Sequence, residues 1–256
     1  MKISANLGFL WNDLPLPAAI RAAKRAGFDA VECHWPYDYD PADVRAALEE
    51  AGFTMLGLNT RRGNVDAGDM GLSALPGREE EARAAIDEAV AYAVAIGTPK
   101  IHVMAGKTED QGAGAVFAEN LKYACAKAAQ HGITILIEPL NKYDAPGYFL
   151  KTTVQAEAII RDLDLPNLKL MYDFYHVQIM EGDVCRRLQV AMPIVGHVQI
   201  ASVPDRAEPD HGELDYRHVF AWIDEIGFEA PVGIEYKPAN GTDAGLGWMK
   251  TMLGRG

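Results

Sequence analysis

Three observations predict an α/β chain that closes into a single-domain (β/α)8 barrel. Eight short apolar, strand-like runs alternate with eight helix-like segments along the 256 residues, which implies parallel strands joined by helical crossovers. The first strand-to-helix turn, Gly8-Phe-Leu-Trp-Asn-Asp, lacks the G-x-G-x-x-G spacing of an open dinucleotide-binding sheet. Oxygen-bearing side chains fall at the carboxyl ends of strands, where a barrel gathers its functional groups. Hydrophobic residues make up 49% of the chain, enough for one large core, and no linker or low-complexity tract divides it.

The elements follow in order. Strands are expected over 2–9, 29–34, 53–59, 100–105, 133–138, 168–173, 195–200 and 232–236. Helices are expected over 15–26, 41–51, 78–97, 112–131, 152–163, 183–191, 216–226 and 242–253. The N-terminal run is apolar only briefly before Asn12 and Asp13; it reads as a first strand rather than a secretory signal. Gly27, Gly52, Gly97, Gly132 and Gly227 follow helical patterns, where a left-handed residue ends a helix. The segment 78–97 begins Arg-Glu-Glu-Glu and is rich in alanine, as suits a helix on the outside of a sheet. The excursion 60–77 is long for a structureless connection and is expected to form a lid or substrate wall.

Bulk properties narrow the function. A formal net charge of −12 argues against nucleic acid or an anionic membrane as partner. No apolar stretch reaches the length of a membrane span. Cys33, Cys125 and Cys185 are scattered and form no CxxC pair, which suits reduced thiols in a cytoplasmic protein. The expected partner is a small molecule. Trp11, Trp35 and Trp248 are open to three readings: a homo-oligomer interface, the pocket lining, or internal packing.

Four apolar runs carry the chemistry. Ile133–Glu138, Leu168–Asp173, Val195–Gln199 and Pro231–Glu235 each end in an oxygen donor. Three carboxylates and a carboxamide converging on one point repel each other unless a cation sits between them. That is the composition of a hard divalent metal site, with Mg²⁺ or Mn²⁺ the expected ion. Taken singly, Glu138 or Glu235 is as easily a solvated strand-end carboxylate, and Gln199 a buried amide bridging strands. Their matching positions favour function. His176, three residues past Asp173, is expected either to touch a substrate oxygen or to pack on Phe174 and Tyr175. His197 is expected to face the helices and to be structural. Arg206 suits a bidentate grip on a substrate carboxylate, or a surface ion pair with Glu208. Lys107, after the fourth strand, is within expected reach of an anionic group, although lone lysines are usually solvated. Asn6, Asn59 and His34 lie near strand ends and are expected to line the pocket.

Ser4-Ala-Asn-Leu, Pro36-Tyr-Asp-Tyr, Leu75-Pro-Gly-Arg-Glu-Glu, Ile137-Glu-Pro-Leu-Asn, Tyr172-Asp-Phe-Tyr-His, Gly196-His-Val-Gln-Ile-Ala and Glu235-Tyr-Lys-Pro together resemble the hydroxypyruvate isomerase family. These are sugar-isomerase-like TIM barrels related to xylose isomerases and ketose 3-epimerases. The resemblance runs almost end to end. It implies that Glu138, Asp173, Gln199 and Glu235 hold a divalent metal, that Glu138 and Glu235 form the acid/base pair, and that His176 and Arg206 contact substrate. The segments 71–78 and 198–206 look more like the 2-oxo-tetronate isomerase branch; the segment 138–148 looks more like hydroxypyruvate isomerase itself.

The expected reaction is an aldose–ketose type isomerisation of a small hydroxy-oxo acid through an enediolate, hydroxypyruvate to tartronate semialdehyde being the leading choice. In it Lys107 or Arg206 would hold the substrate carboxylate, and Glu208 would belong to the same clamp. The rivals are a ketose 3-epimerase on free sugars, an abasic-site endonuclease and a non-catalytic sugar-acid-binding barrel. The endonuclease would carry more histidine ligands and a basic surface.

Overall fold

Eight parallel strands alternate with helices in the computed structural model, which describes residues 1–255. The strands are β1 (Ile3–Asn6), β2 (Ala30–Glu32), β3 (Leu58–Asn59), β4 (Lys100–His102), β5 (Thr134–Ile137), β6 (Leu168–Asp173), β7 (Val195–Ile200) and β8 (Val232–Ile234). They pair in the order β2-β1-β8-β7-β6-β5-β4-β3. The gap between β2 and β3 is bridged by a parallel pairing of Val31 with Met55. Backbone bonds from Leu56 N to Val31 O (2.7 Å) and from Cys33 N to Gly57 O (3.1 Å) complete the closure. The expected barrel is therefore the observed fold, in one domain.

The helices are α1 (Leu16–Arg25), α2 (Pro41–Ala51), α3 (Glu79–Ile96), α4 (Ala113–Ala129), α5 (Thr153–Leu163), α6 (Phe174–Met180), α7 (Val184–Ala191), α8 (Tyr216–Glu225), α9 (Thr242–Gly245) and α10 (Gly247–Leu253). Their limits follow local chemistry. Asp40 accepts from Ala42 N ahead of Pro41 to start α2, and Thr152 accepts from Gln155 N to start α5. Gly52 and Gly97 end α2 and α3 with φ of 65° and 75°, a region that only glycine enters without strain. Helix α3 turns Ala82, Ala85, Ile86, Ala89, Val90, Ala93 and Ile96 inward, a helical stripe of mostly small residues that lets it lie close against the strands. Among the described residues no helix is long and apolar enough to cross a membrane.

Three expectations change. The expected helix 242–253 is split into α9 and α10. Helix α6 was not expected. Asp173, the last residue of β6, accepts from Tyr175 N at 2.8 Å, so the strand turns straight into a helix without an intervening loop. The aromatic and branched residues of Phe174–Ile179 hide that start. The excursion 60–77 is not structureless. A short 3₁₀ turn spans Val65–Ala67, Arg78 pairs with Asp69 at 2.8 Å, and Ser73 N and Ala74 N bond to Met104 O and Ala105 O. These ties hold the loop over the mouth of β3 and β4. Trp11 and Trp248 are buried in the core, and Trp35 lines the mouth.

Candidate active site

The carboxyl ends of the strands surround a basin of about 330 Å³. Glu138 follows β5 directly, Asp173 ends β6, Gln199 lies one residue short of the end of β7, and Glu235 follows β8. Parallel register sets Asp173 beside Gln199. All four side chains are buried. Three oxygens among them have no hydrogen-bond partner: Glu138 Oε1, Asp173 Oδ2 and Gln199 Oε1. Buried polar atoms are nearly always satisfied, so three unpartnered oxygens at the ends of neighbouring strands suit a positive partner. Glu138, Asp173 and His176 offer ligand atoms that all lie within 4.8 Å of one another. The carboxylates of Glu138 and Asp173 with the Gln199 amide oxygen form a carboxylate-rich oxygen set that fits a hard divalent cation. Glu235 differs, because both its oxygens are engaged. Oε1 meets His34 Nε2 at 2.5 Å and Asn6 Nδ2 at 3.1 Å, and Oε2 accepts from Arg206 at 3.1 Å.

These environments push the two glutamates apart. Burial raises the Glu138 carboxyl well above its ordinary value, and the charges of Glu235 and Asp173 raise it further. Asp173 is raised to about 7, by burial first and then by Glu235. Burial would raise Glu235 as well, but Arg206 and the His34 hydrogen bond outweigh it and hold that carboxyl low. Carboxylates with divergent proton affinities are the mark of an acid/base pair.

His176 has an assignable tautomer. Its Nδ1 accepts from the backbone N–H of Asn141 at 3.0 Å, and burial pushes the ring well below its ordinary value, so it is neutral with the proton on Nε2. That Nε2–H lies 3.6 Å from Asp173 and 3.9 Å from Glu138. A protonated nitrogen is a donor, not a metal ligand. Sequence reasoning left His102 out. It is buried, lines the basin, and neither ring nitrogen has a hydrogen-bond partner. Burial lowers it to about 4, so it too is neutral. Its position at the end of β4 was the signal that could have found it.

Glu32, at the end of β2, was also missed. It lies beneath the basin and accepts from Ser4 (3.3 Å), Asn6 (3.1 Å), His197 (2.5 Å) and Gln199 Nε2 (2.8 Å). Burial would raise it, but the His197 charge and these hydrogen bonds hold it at about 2. By taking the Gln199 amide nitrogen, Glu32 fixes the amide and leaves its oxygen buried and unpartnered. Gly233 makes the crossing feasible, since a Cβ there would stand 2.7 Å from both Glu32 Oε1 and Gln199 Cγ. The expected outward direction of His197 is thereby corrected. Residues 197 and 199 are two apart on one strand and share a face, so both point into the barrel.

The remaining expected residues divide. Asn59, His176, Arg206 and His34 line the basin. Asn6 lies just below, bonded to both Glu32 and Glu235. Arg206 pairs with Glu235 and with Asp144 (3.0 Å), not with Glu208. Glu208 accepts from Ala239 N at 3.1 Å and ties two loops together. Lys107 and Glu208 lie outside the lining, whereas Arg62 and Lys237 belong to it.

Residues 20–252 match the family model described as Xylose isomerase-like TIM barrel, and the chain belongs to that family. It is 43% identical to 2-oxo-tetronate isomerase of Cupriavidus necator over 258 residues, 99% of each chain. It is 38% identical to hydroxypyruvate isomerase of Escherichia coli, over 97% of this chain and 98% of that one. A crystal structure described as AP endonuclease, family 2, from Brucella melitensis superposes with a TM-score of 0.94 at 39% identity, covering 98% of both chains.

Proposed function

We propose that this barrel is an isomerase that interconverts a small hydroxy-oxo acid with its aldehyde or ketone isomer, hydroxypyruvate and tartronate semialdehyde being the leading pair. The observation that carries the reading is the convergence of three orphaned oxygens beside two glutamates of opposed proton affinity. Isomerases of both kinds of hydroxy-oxo acid are full-length relatives. The identity to 2-oxo-tetronate isomerase favours the four-carbon acid as a second reading.

Glu138, Asp173, Gln199 and Glu235 would hold Mg²⁺ or Mn²⁺. When bound, the ion supplies the Lewis acidity that stabilises the negative charge of an enediolate. The chain supplies the rest. One of Glu138 and Glu235 takes the carbon-bound proton, and the same or the other group returns one to the adjacent carbon. His176 Nε2–H donates to a substrate oxygen as charge develops there. Arg206 holds Glu235 in place, and its buried Nε–H, which has no partner in the protein, is free for a second substrate oxygen. The abasic-site endonuclease reading sits poorly with a net charge of −12. A cytoplasmic location fits the substrate class.

The test is a substrate panel: hydroxypyruvate, 2-oxo-tetronate, fructose, tagatose and abasic DNA. The assay is run after chelation and again after Mg²⁺ or Mn²⁺ is restored, with solvent deuterium followed into the substrate. Metal-dependent exchange on a hydroxy-oxo acid is expected. Turnover of free ketoses alone, or of DNA, would refute the reading.

A further inference from the structure

The basin has an arc of aromatic rings along one wall, with a cation at each end. The Phe9 and His34 rings meet edge-on with centroids 5.0 Å apart, and His34 and Trp35 lie 5.0 Å apart. The Arg206 guanidinium sits over Phe9 at 4.9 Å, and the Arg62 guanidinium sits over Trp35 at 3.9 Å. The two arginines differ in what else they touch. Arg206 already faces two carboxylates, Glu235 and Asp144. Its backbone is pinned in a left-handed conformation, φ 51°, with Lys237 N bonded to Arg206 O at 2.7 Å. Its charge is balanced within the protein, with only its Nε–H unpartnered. Arg62 forms no ion pair among the described residues, although 21 such contacts are found elsewhere. Burial alone shifts its proton affinity, downward, which agrees with the lack of a nearby carboxylate.

We propose that Arg62, held over the Trp35 ring on the β3–α3 loop, is the anchor for the substrate carboxylate. The inference rests on the hydroxy-oxo acid reading above and adds the residue that makes the substrate an acid rather than a neutral sugar. The Trp35 contact holds the guanidinium at the basin wall and leaves its N–H groups for a ligand. A planar fork matches a carboxylate with two parallel hydrogen bonds. The aromatic contact compensates part of the charge while the site is empty of substrate. Lys107, the lysine expected to reach an anionic group, lies outside the basin lining, so it serves as the control. The orphaned oxygens lie on the opposite strands, β5 to β7. A substrate bound at its hydroxy-oxo end there extends its carboxylate toward the β2–β3 wall.

The test compares hydroxypyruvate with dihydroxyacetone, which replaces the carboxylate by an uncharged hydroxymethyl group. Binding is measured by calorimetry on the Mn²⁺-loaded full chain and turnover by steady-state kinetics, for the unaltered protein and for Arg62→Met, Arg62→Lys and Lys107→Met. Arg62→Met keeps an apolar stem on Trp35 and should raise KM and Kd for hydroxypyruvate by roughly ten- to a hundredfold, the range for loss of a charged hydrogen bond. Its kcat should stay within about threefold. Arg62→Lys should recover part of the loss, and dihydroxyacetone affinity and Mn²⁺ affinity should not move. Lys107→Met should change KM by less than about threefold. Equal binding of the two ligands by the unaltered protein, or an unchanged hydroxypyruvate Kd in Arg62→Met, overturns the proposal. A preference for hydroxypyruvate that Arg62→Met removes, without turnover in any variant, would sustain the anchor and sink the isomerase reading instead.

Discussion

Glu32 and Glu138 are both buried glutamates at the carboxyl ends of barrel strands, and they have opposite characters. Glu32 takes hydrogen bonds from four side chains and is held at about 2. Glu138 has an oxygen with no partner and is pushed well above its ordinary value by burial and by its acidic neighbours. Burial is common to both, so burial is not what distinguishes function from structure. The count of donors is. A buried carboxylate with its lone pairs filled is part of the frame; one left bare beside another acid is waiting for a cation or a proton.

The widest separation should appear in catalysis. Glu138→Gln and Glu235→Gln are each expected to lower kcat by at least about a hundredfold, the low end for lost acid–base catalysis. Near-normal turnover of either variant with metal present would break the assignment. Stability should order the two glutamates the other way. Glu32→Gln replaces an acceptor with a donor facing His197 and the Gln199 amide, and should cost about 3 kcal/mol, as for breaking a buried pair. It should also weaken Mn²⁺ binding by roughly tenfold or more, because the Gln199 oxygen is no longer oriented. Glu138→Gln in the metal-free protein should leave Tm unchanged or raise it, since it removes an uncompensated carboxyl. Urea or thermal melts of the metal-free variants decide this.

The smallest effect is a pH dependence. Glu138 and Asp173 titrate higher in the folded than in the unfolded chain. Their contribution to the metal-free fold is therefore fully present below about pH 4, the unfolded value, and is lost as pH rises through the raised folded values. A bound cation removes that loss. The Tm gain on adding Mn²⁺ should be slight at low pH and grow above about 7. A gain that shrinks with rising pH would contradict the raised values.

Much of this was readable beforehand, and the reasons for the rest are physical. The barrel was legible because every strand is an apolar run and several helices end in glycine. The four oxygen donors were legible because each closes such a run. Glu32 was not, because it lies inside the expected strand 29–34 rather than closing an apolar run, and its four partners come from distant parts of the chain. His102 looked like one more strand residue; only the fold shows that neither ring nitrogen is satisfied. The charge balance of Arg206 and Arg62 was invisible for the same reason. Asp144, Glu235 and Trp35 are brought to them by closure of the barrel, and no local pattern announces which arginine remains unpaired.

The central claim is that Glu138, Asp173 and Gln199 present bare oxygens to one divalent cation. Calorimetric titration of metal-free protein with Mn²⁺, compared with Asp173→Asn, tests it most directly. One ion per chain should bind to the unaltered protein with release of protons, and Asp173→Asn should weaken that binding by at least about tenfold. No binding to the unaltered chain, or an isotherm that Asp173→Asn leaves unchanged, would contradict the account.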